Sequence, residues 1–350
     1  MSIDFSHKIF LYVLSYVLFP GICIYNLVPV DKKIRDTKFI DNKMSLNLKG
    51  VAMILIVIHH ITLYMTNEEL MLPFSIVGYI GSGVFLFVSG YGCMYSLINN
   101  KRYMDSFLKK RFVSTYIIAI ICISFNSLIL RFFLEIKYSI TNMFLNTLVL
   151  YSSWNNAWVW FIIAIFISWG EFYILFKYVK NRKCGIILLW ILGFAYIFLC
   201  RYLDLGKWWY NSILMFQFGV TIASYRQNII KALNRSYVFI IIISLLIFLG
   251  SWSLQFKLDY IITEIICLFA FIVLLISIMY KVRINSAVLE FIGTISFEIY
   301  LFHSAIIMFI YYTTNIKNSI IIFVDLVLTV VLSFIINKVY LIIKNKIIRI

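Results

Sequence analysis

Apolar positions in this chain come in long unbroken runs, with polar residues gathered between them. Eleven such runs stand at 9–28, 50–66, 74–98, 112–134, 157–176, 184–203, 209–225, 237–254, 260–280, 291–313 and 319–341. At ~1.5 Å of rise per residue, helices of these lengths match the ~30 Å hydrocarbon core of a bilayer. Strands of a membrane barrel are shorter and alternate in polarity, which these runs do not. A spanning segment must satisfy its own backbone hydrogen bonds, and that leaves helices. The pattern predicts an all-α polytopic membrane protein of about eleven transmembrane helices. A further apolar piece at 143–151 is too short to cross and is expected at the outer interface. Trp154, Trp158, Trp160, Trp208 and Trp209 would be anchors on that side.

The first run is interrupted by Pro20-Gly21 and followed by Lys32, Lys33 and Arg35. It has neither a strongly basic start nor a small-residue cleavage pattern, so it reads as a retained helix with its amino end outside. Placing the 29–49 loop in the cytoplasm puts 24 of the 31 Lys and Arg residues on the inner side and 7 on the outer. Cytoplasmic loops carry that excess, and the carboxyl end is then cytoplasmic as well, in the plasma membrane of the cell. Cysteines introduced at 29–49 or 99–111, in a chain freed of its native ones, are expected to resist a membrane-impermeant thiol reagent in intact cells. Ready labelling of either loop overturns this map.

Composition agrees with a membrane domain: 63% of the residues are hydrophobic and 13% charged, against about 25% charged in soluble domains. No linker or internal repeat divides the chain. The net charge of +16 lies in short connections between apolar runs, which speaks for membrane orientation and against a nucleic-acid partner. Six scattered cysteines without CxxC spacing suggest neither a disulfide frame nor a metal site.

Against this background a few polar residues stand out. Lys49 opens the second run and His60 follows eleven positions later, nearly three helical turns on and ~16 Å deeper, on the same side of the helix. His59 is rotated by about 100°. An ionisable group at that depth points to function. Snorkelling of Lys49 and a neutral His60 bonded to a neighbouring helix is the alternative. In the third run, Gly78, Gly81, Gly83 and Gly90 permit close helix contact, and Ser89 falls near mid-membrane. His303 lies midway along the 291–313 run, level with His60 and Ser89, so that two histidines at one depth suggest a shared polar cavity. Glu298 lies nearer the cytoplasm and could pair with a basic residue there; Glu171, Glu264 and Asp325 read as structural. Lys109, Lys110 and Arg111 at the start of the fourth helix are either an inner-face charge signal or a receptor for the phosphates of a cytoplasmic donor.

The fragments Leu48-Lys49-Gly50 with Ile-Val-Ile-His-His60, Gly83-Val-Phe-Leu-Phe-Val-Ser89-Gly90-Tyr91, Trp158-Val-Trp160-Phe161, Phe216-Gln-Phe-Gly219 and Ile295-Ser296-Phe-Glu-Ile-Tyr300-Leu-Phe-His303 together resemble the membrane acyltransferase 3 family, over about residues 45–341. That resemblance implies a ten-helix core preceded here by an added helix and basic loop at 1–44 and followed by a basic cytoplasmic tail at 342–350. It implies transfer of an acyl group, commonly acetyl from cytoplasmic acetyl-coenzyme A, to hydroxyls of surface polysaccharides. Lys49 and His60 match a basic-residue-then-histidine motif whose usual first member is arginine; lysine keeps the charge without the bidentate fork. Arg111 matches the first of two family arginines, and Ser114 stands where the second is expected, with Lys109 and Lys110 as substitutes in charge. Ile165 replaces a carboxylate that some members carry.

The chemistry fits this implied activity. A sugar hydroxyl becomes a good nucleophile when its proton is taken, and a histidine is suited to that near neutral pH. His60 is the candidate general base, with acyl transfer through His60 itself also open. Ser89 and His303 are candidates to orient the acceptor or the thioester oxygen. A polytopic transporter or lipid-linked glycan flippase would share mid-membrane polar groups and basic inner loops, and a non-catalytic partner retaining the fold is a further alternative.

Overall fold

The structure, a computed structural model, describes residues 9–25, 27–32, 35, 39–63, 69–133, 141, 145, 159–258, 260–313 and 320–347. Among them all eleven predicted segments are helical. The helices are α1 (Ile9–Tyr25), α2 (Asn42–Leu63), α3 (Gly78–Asn99), α4 (Ser114–Phe133), α5 (Val159–Tyr178), α6 (Arg182–Tyr202), α7 (Leu214–Ser224), α8 (Arg226–Gln255), α9 (Ile261–Lys281), α10 (Ala287–Thr294), α11 (Ser296–Thr313) and α12 (Ile320–Ile347). Eight are long and apolar enough to cross a bilayer, nine if α10 and α11 count as one bent span. The expected spans at 9–28 and 209–225 are shorter apolar helices, α1 and the 11-residue α7. The segment 143–151, Trp154 and Trp158 lie outside the described residues, apart from the helical Leu145.

The predicted single helix at 291–313 is corrected: it is broken at Ile295 and bent by 78°. No proline marks the break. Ser296 Oγ donates to the Gly293 carbonyl at 2.9 Å beside it, a contact that Ser82 and Ser277 also make within unbroken helices, so the hydroxyl accompanies the break without accounting for it. In α1, the turn before Pro20 widens to a π-helix over Leu14–Leu18, as a residue without an N–H requires some adjustment of the ladder. Tyr16 in that turn donates to the Leu70 carbonyl.

A pair of short strands was not foreseen. β1 (Leu27–Pro29) pairs antiparallel with β2 (Val282–Ile284), Val28 opposite Arg283. Arg283 Nη1 also meets Asp41 Oδ2 at 2.6 Å, while Asp41 Oδ1 accepts from Met44 N at 2.8 Å. The chain leaving α1 is thus fastened to the α9–α10 junction at the same end as the start of α2.

Glycines set the closest helix crossings. A Cβ at Gly50 would strike the backbone of Leu289, and one at Gly293 the backbone of Leu46, so α2 and α10 meet main chain to main chain. Gly90 against Phe216 and Gly219 against Phe87 do the same for α3 and α7. Gly78 receives the His59 ring, Gly81 the Ala52–Ile56 turn and Gly83 Leu268. The sequence reading of the α3 glycines Gly78, Gly81, Gly83 and Gly90 as packing positions is what the structure shows. Methyl-sized additions there have nowhere to go, since interiors are packed without spare volume.

Candidate active site

Between α2, α3, α4, α5, α11 and α12 lies a cavity of about 470 Å³, lined among others by Lys49, Ser89, Lys110, Arg111, Glu298 and Lys344. One helical face explains each contribution. On α2, Asn42, Ser45, Lys49 and Ile56 recur at three-, four- and seven-residue spacing along the cavity wall. Asn337, Tyr340 and Lys344 do so on α12.

The cations gather toward one end. Lys344 lies over the Tyr340 ring, 5.7 Å from its centroid. Arg111 sits in a π-helical turn, Lys109–Val113, a geometry frequent at functional sites. Its guanidinium is 5.7 Å from the Trp169 ring centroid, and a Cβ at Gly92 would lie 3.8 Å from its Nη2. Trp169 Nε1 in turn donates to Ser89 Oγ at 2.9 Å. Arg111, Trp169 and Ser89 therefore form one wall. Lys109 is exposed and does not line the cavity, whereas Lys110 and Arg111 do. Successive residues of a helical turn project in different directions, and only the last two of the three reach this cavity. Ser114 lines the cavity at the place of the absent second arginine, and Ile165 lines it where a carboxylate was expected to be missing.

Ile56, Phe161 and Tyr300 line the part of the cavity nearest the histidines in sequence register. Phe161 and Tyr300 rings lie 5.4 Å apart. One turn beyond, His60 and His303 meet: their ring centroids are 4.7 Å apart with planes 3° from parallel, and His60 Nδ1 is hydrogen-bonded to His303 Nε2. His303 is buried, while His60 is half-buried. Two histidines at one depth were expected to share a polar cavity with Ser89; His60 and His303 instead pair with each other, and neither lines the cavity that Ser89 lines.

The hydrogen bonds assign the tautomers of a neutral pair. His303 Nδ1 lies 3.0 Å from the Ile299 carbonyl, which can only accept, so Nδ1 carries the proton. Nε2 of His303 is then an acceptor, and His60 must donate from Nδ1. The lone pair of His60 is left on Nε2. No other hydrogen bond to this ring is made among the described residues. His59 turns away, its Nδ1 3.3 Å from the Phe74 carbonyl. The three histidines do not converge on a metal-like site, and no such cluster occurs among the described residues.

Other expectations resolve more simply. Glu298 was expected near a basic partner; it is buried and instead accepts from Asn337 Nδ2 at 2.5 Å. Glu264 joins Asn211 at 2.9 Å and Lys207 at 3.6 Å, and buried Asp325 accepts from Thr329 at 3.4 Å. Sequence reasoning missed Lys344, Asn337 and Trp169. The residues of α12 were legible only as a spacing pattern inside an apolar run, and α12 continues past the expected tail boundary to Ile347.

Compared with known protein families, residues 43–338 match the model described as an acyltransferase domain, of the acyltransferase 3 type. No curated protein and no solved structure matches the chain.

Proposed function

Because the chain belongs to the membrane acyltransferase 3 family, we propose that it transfers acetyl from cytoplasmic acetyl-coenzyme A to a hydroxyl of a cell-envelope polysaccharide or its lipid-linked precursor. The observation that carries this reading is a cavity lined by four cations and, one turn beyond its lining residue Ile56, a histidine whose Nε2 has no partner among the described residues. An anionic nucleotide donor suits the first feature and deprotonation of a hydroxyl the second. The cavity mouth at Asn42, Ser45 and Lys344 then faces the cytoplasm, in keeping with the basic inner loops.

In this reading Lys49, Lys110, Arg111 and Lys344 hold the phosphates. The acyl thioester reaches past Ile56, Phe161 and Tyr300 to His60. His60 Nε2 takes the proton as the acceptor oxygen bonds to the acyl carbon; the carbon–sulfur bond breaks, and the proton passes to the departing thiolate. Ser89, fixed by Trp169, and the Arg111 wall orient the donor. His303 keeps the proton of His60 on Nδ1, so that Nε2 remains a base.

Replacing Lys110 and Arg111 by alanine is expected to raise KM for acetyl-coenzyme A by roughly 10- to 100-fold, the range of a lost charged hydrogen bond, with little change for the acceptor. Lys109→Ala, outside the cavity, is the control and should leave KM unaltered. Lys49→Arg should remain active because charge and reach persist, whereas Lys49→Ala should not. If the double variant alters only abundance in the membrane, the cluster is a topology signal alone. The reaction itself is tested by transfer from labelled acetyl-coenzyme A in membranes, alongside acetyl signals on envelope polysaccharide with and without the gene. Acceptor movement across the bilayer without acetylation overturns the reading in favour of a transporter.

A further inference from the structure

Among the described residues lining the cavity, which include four cations, Lys49, Lys110, Arg111 and Lys344, Glu298 is the one carboxyl. It is 2% exposed, yet no Lys or Arg of the described residues forms an ion pair with it. Among the described residues its side-chain partner is Asn337, whose Nδ2 donates to Oε1 at 2.5 Å. The backbone N–H of Glu298 itself also bonds the carboxyl; a carboxyl offers about four acceptor positions, so two bonds still leave acceptor capacity in this cavity-lining group. A buried polar group is costly unless hydrogen-bonded, so such capacity marks a place for a donor group of a ligand.

Position says which part of a ligand. Glu298 precedes His303 by five residues on α11, or ~7.5 Å along the axis. On α12, Asn337 lies seven residues inward from Lys344, ~10 Å deeper. The pair therefore lies between the cationic end and the histidines. In a thioester built on coenzyme A, the stretch between phosphates and sulfur is an uncharged arm with amide groups, the nearer one two methylenes from the sulfur. Amide N–H groups are what an unfilled carboxyl acceptor can bind.

We propose that Glu298, held by Asn337, is a donor-binding residue that accepts a hydrogen bond from an amide N–H of this arm and so selects amide-bearing thioesters. The inference rests on the reading of a coenzyme A donor entering by this cavity. It is tested by calorimetry on the full chain in lipid nanodiscs, with two probes: coenzyme A, and its nucleotide portion without the arm. Glu298→Leu is expected to weaken coenzyme A by ~10-fold and the arm-less nucleotide by less than ~2-fold, while Glu298→Gln, which keeps an acceptor oxygen, stays within ~3-fold of the unaltered chain. Should Glu298→Leu fail to fold, Asn337→Ala, which leaves the carboxyl unheld, is expected to shift affinities in the same direction. Equal loss for both probes, or coenzyme A binding that these variants leave intact, overturns this inference alone. Absence of coenzyme A binding by the unaltered chain overturns the donor reading and this inference with it.

Discussion

His60→Ala is expected to lower acyl transfer by ~100- to 10,000-fold, the contribution of a general base, at matched abundance in the membrane. His59→Ala should remain within ~10-fold of the parent, a smaller loss than removal of a base brings. The two residues are adjacent and of one type, so composition and depth cannot separate them. Geometry does. Rotation of about 100° per residue directs His59 to the Phe74 carbonyl and the Gly78 surface, while His60 turns to His303. His60→Ala also leaves the cation-lined part of the cavity untouched, so donor affinity should persist as turnover disappears. An inactive His59→Ala beside an active His60→Ala would show that both the helical register and the motif carried over from the family are wrong.

Much of this site was legible because α2 and α3 follow simple rules. Helical periodicity alone placed Lys49 against His60, and glycine spacing on α3 announced close neighbours, which Phe216, Leu268 and the His59 ring turn out to be. What stayed hidden depended on tertiary partners. The bend at Ile295 falls inside a continuous apolar run, and hydropathy does not register it. The β1–β2 pair joins residues some 250 positions apart through main-chain bonds, with register Leu27 to Ile284, and three-residue strands leave no periodicity to read. Lys344 reads as a tail charge until α12 is seen to carry it back over the cavity. Lys109 reads as one of a basic triplet until the helix fans that triplet apart.

His303→Leu is expected to reduce kcat by ~100-fold or more, although His303 neither lines the open cavity nor supplies the reacting nitrogen in this mechanism. Its part is positional. With its own Nδ1 proton committed to the Ile299 carbonyl at 3.0 Å, His303 presents Nε2 as an acceptor to His60 Nδ1 and, more distantly, to the Ser304 hydroxyl at 3.3 Å. Remove that acceptor and the His60 ring is free to rotate or to carry its proton on Nε2, the tautomer that cannot take a proton from the hydroxyl. Leucine fills the buried volume without a polar atom, so the loss should appear in kcat with KM for acetyl-coenzyme A nearly unchanged. His303→Gln supplies an amide oxygen able to accept from Nδ1, and should recover activity to within ~10-fold of the parent. A merely packed histidine would give the opposite order, since leucine suits an apolar pocket better than glutamine does. Steady-state rates of the two variants, at matched abundance and with donor concentration varied, decide between an orienting contact and a packing one.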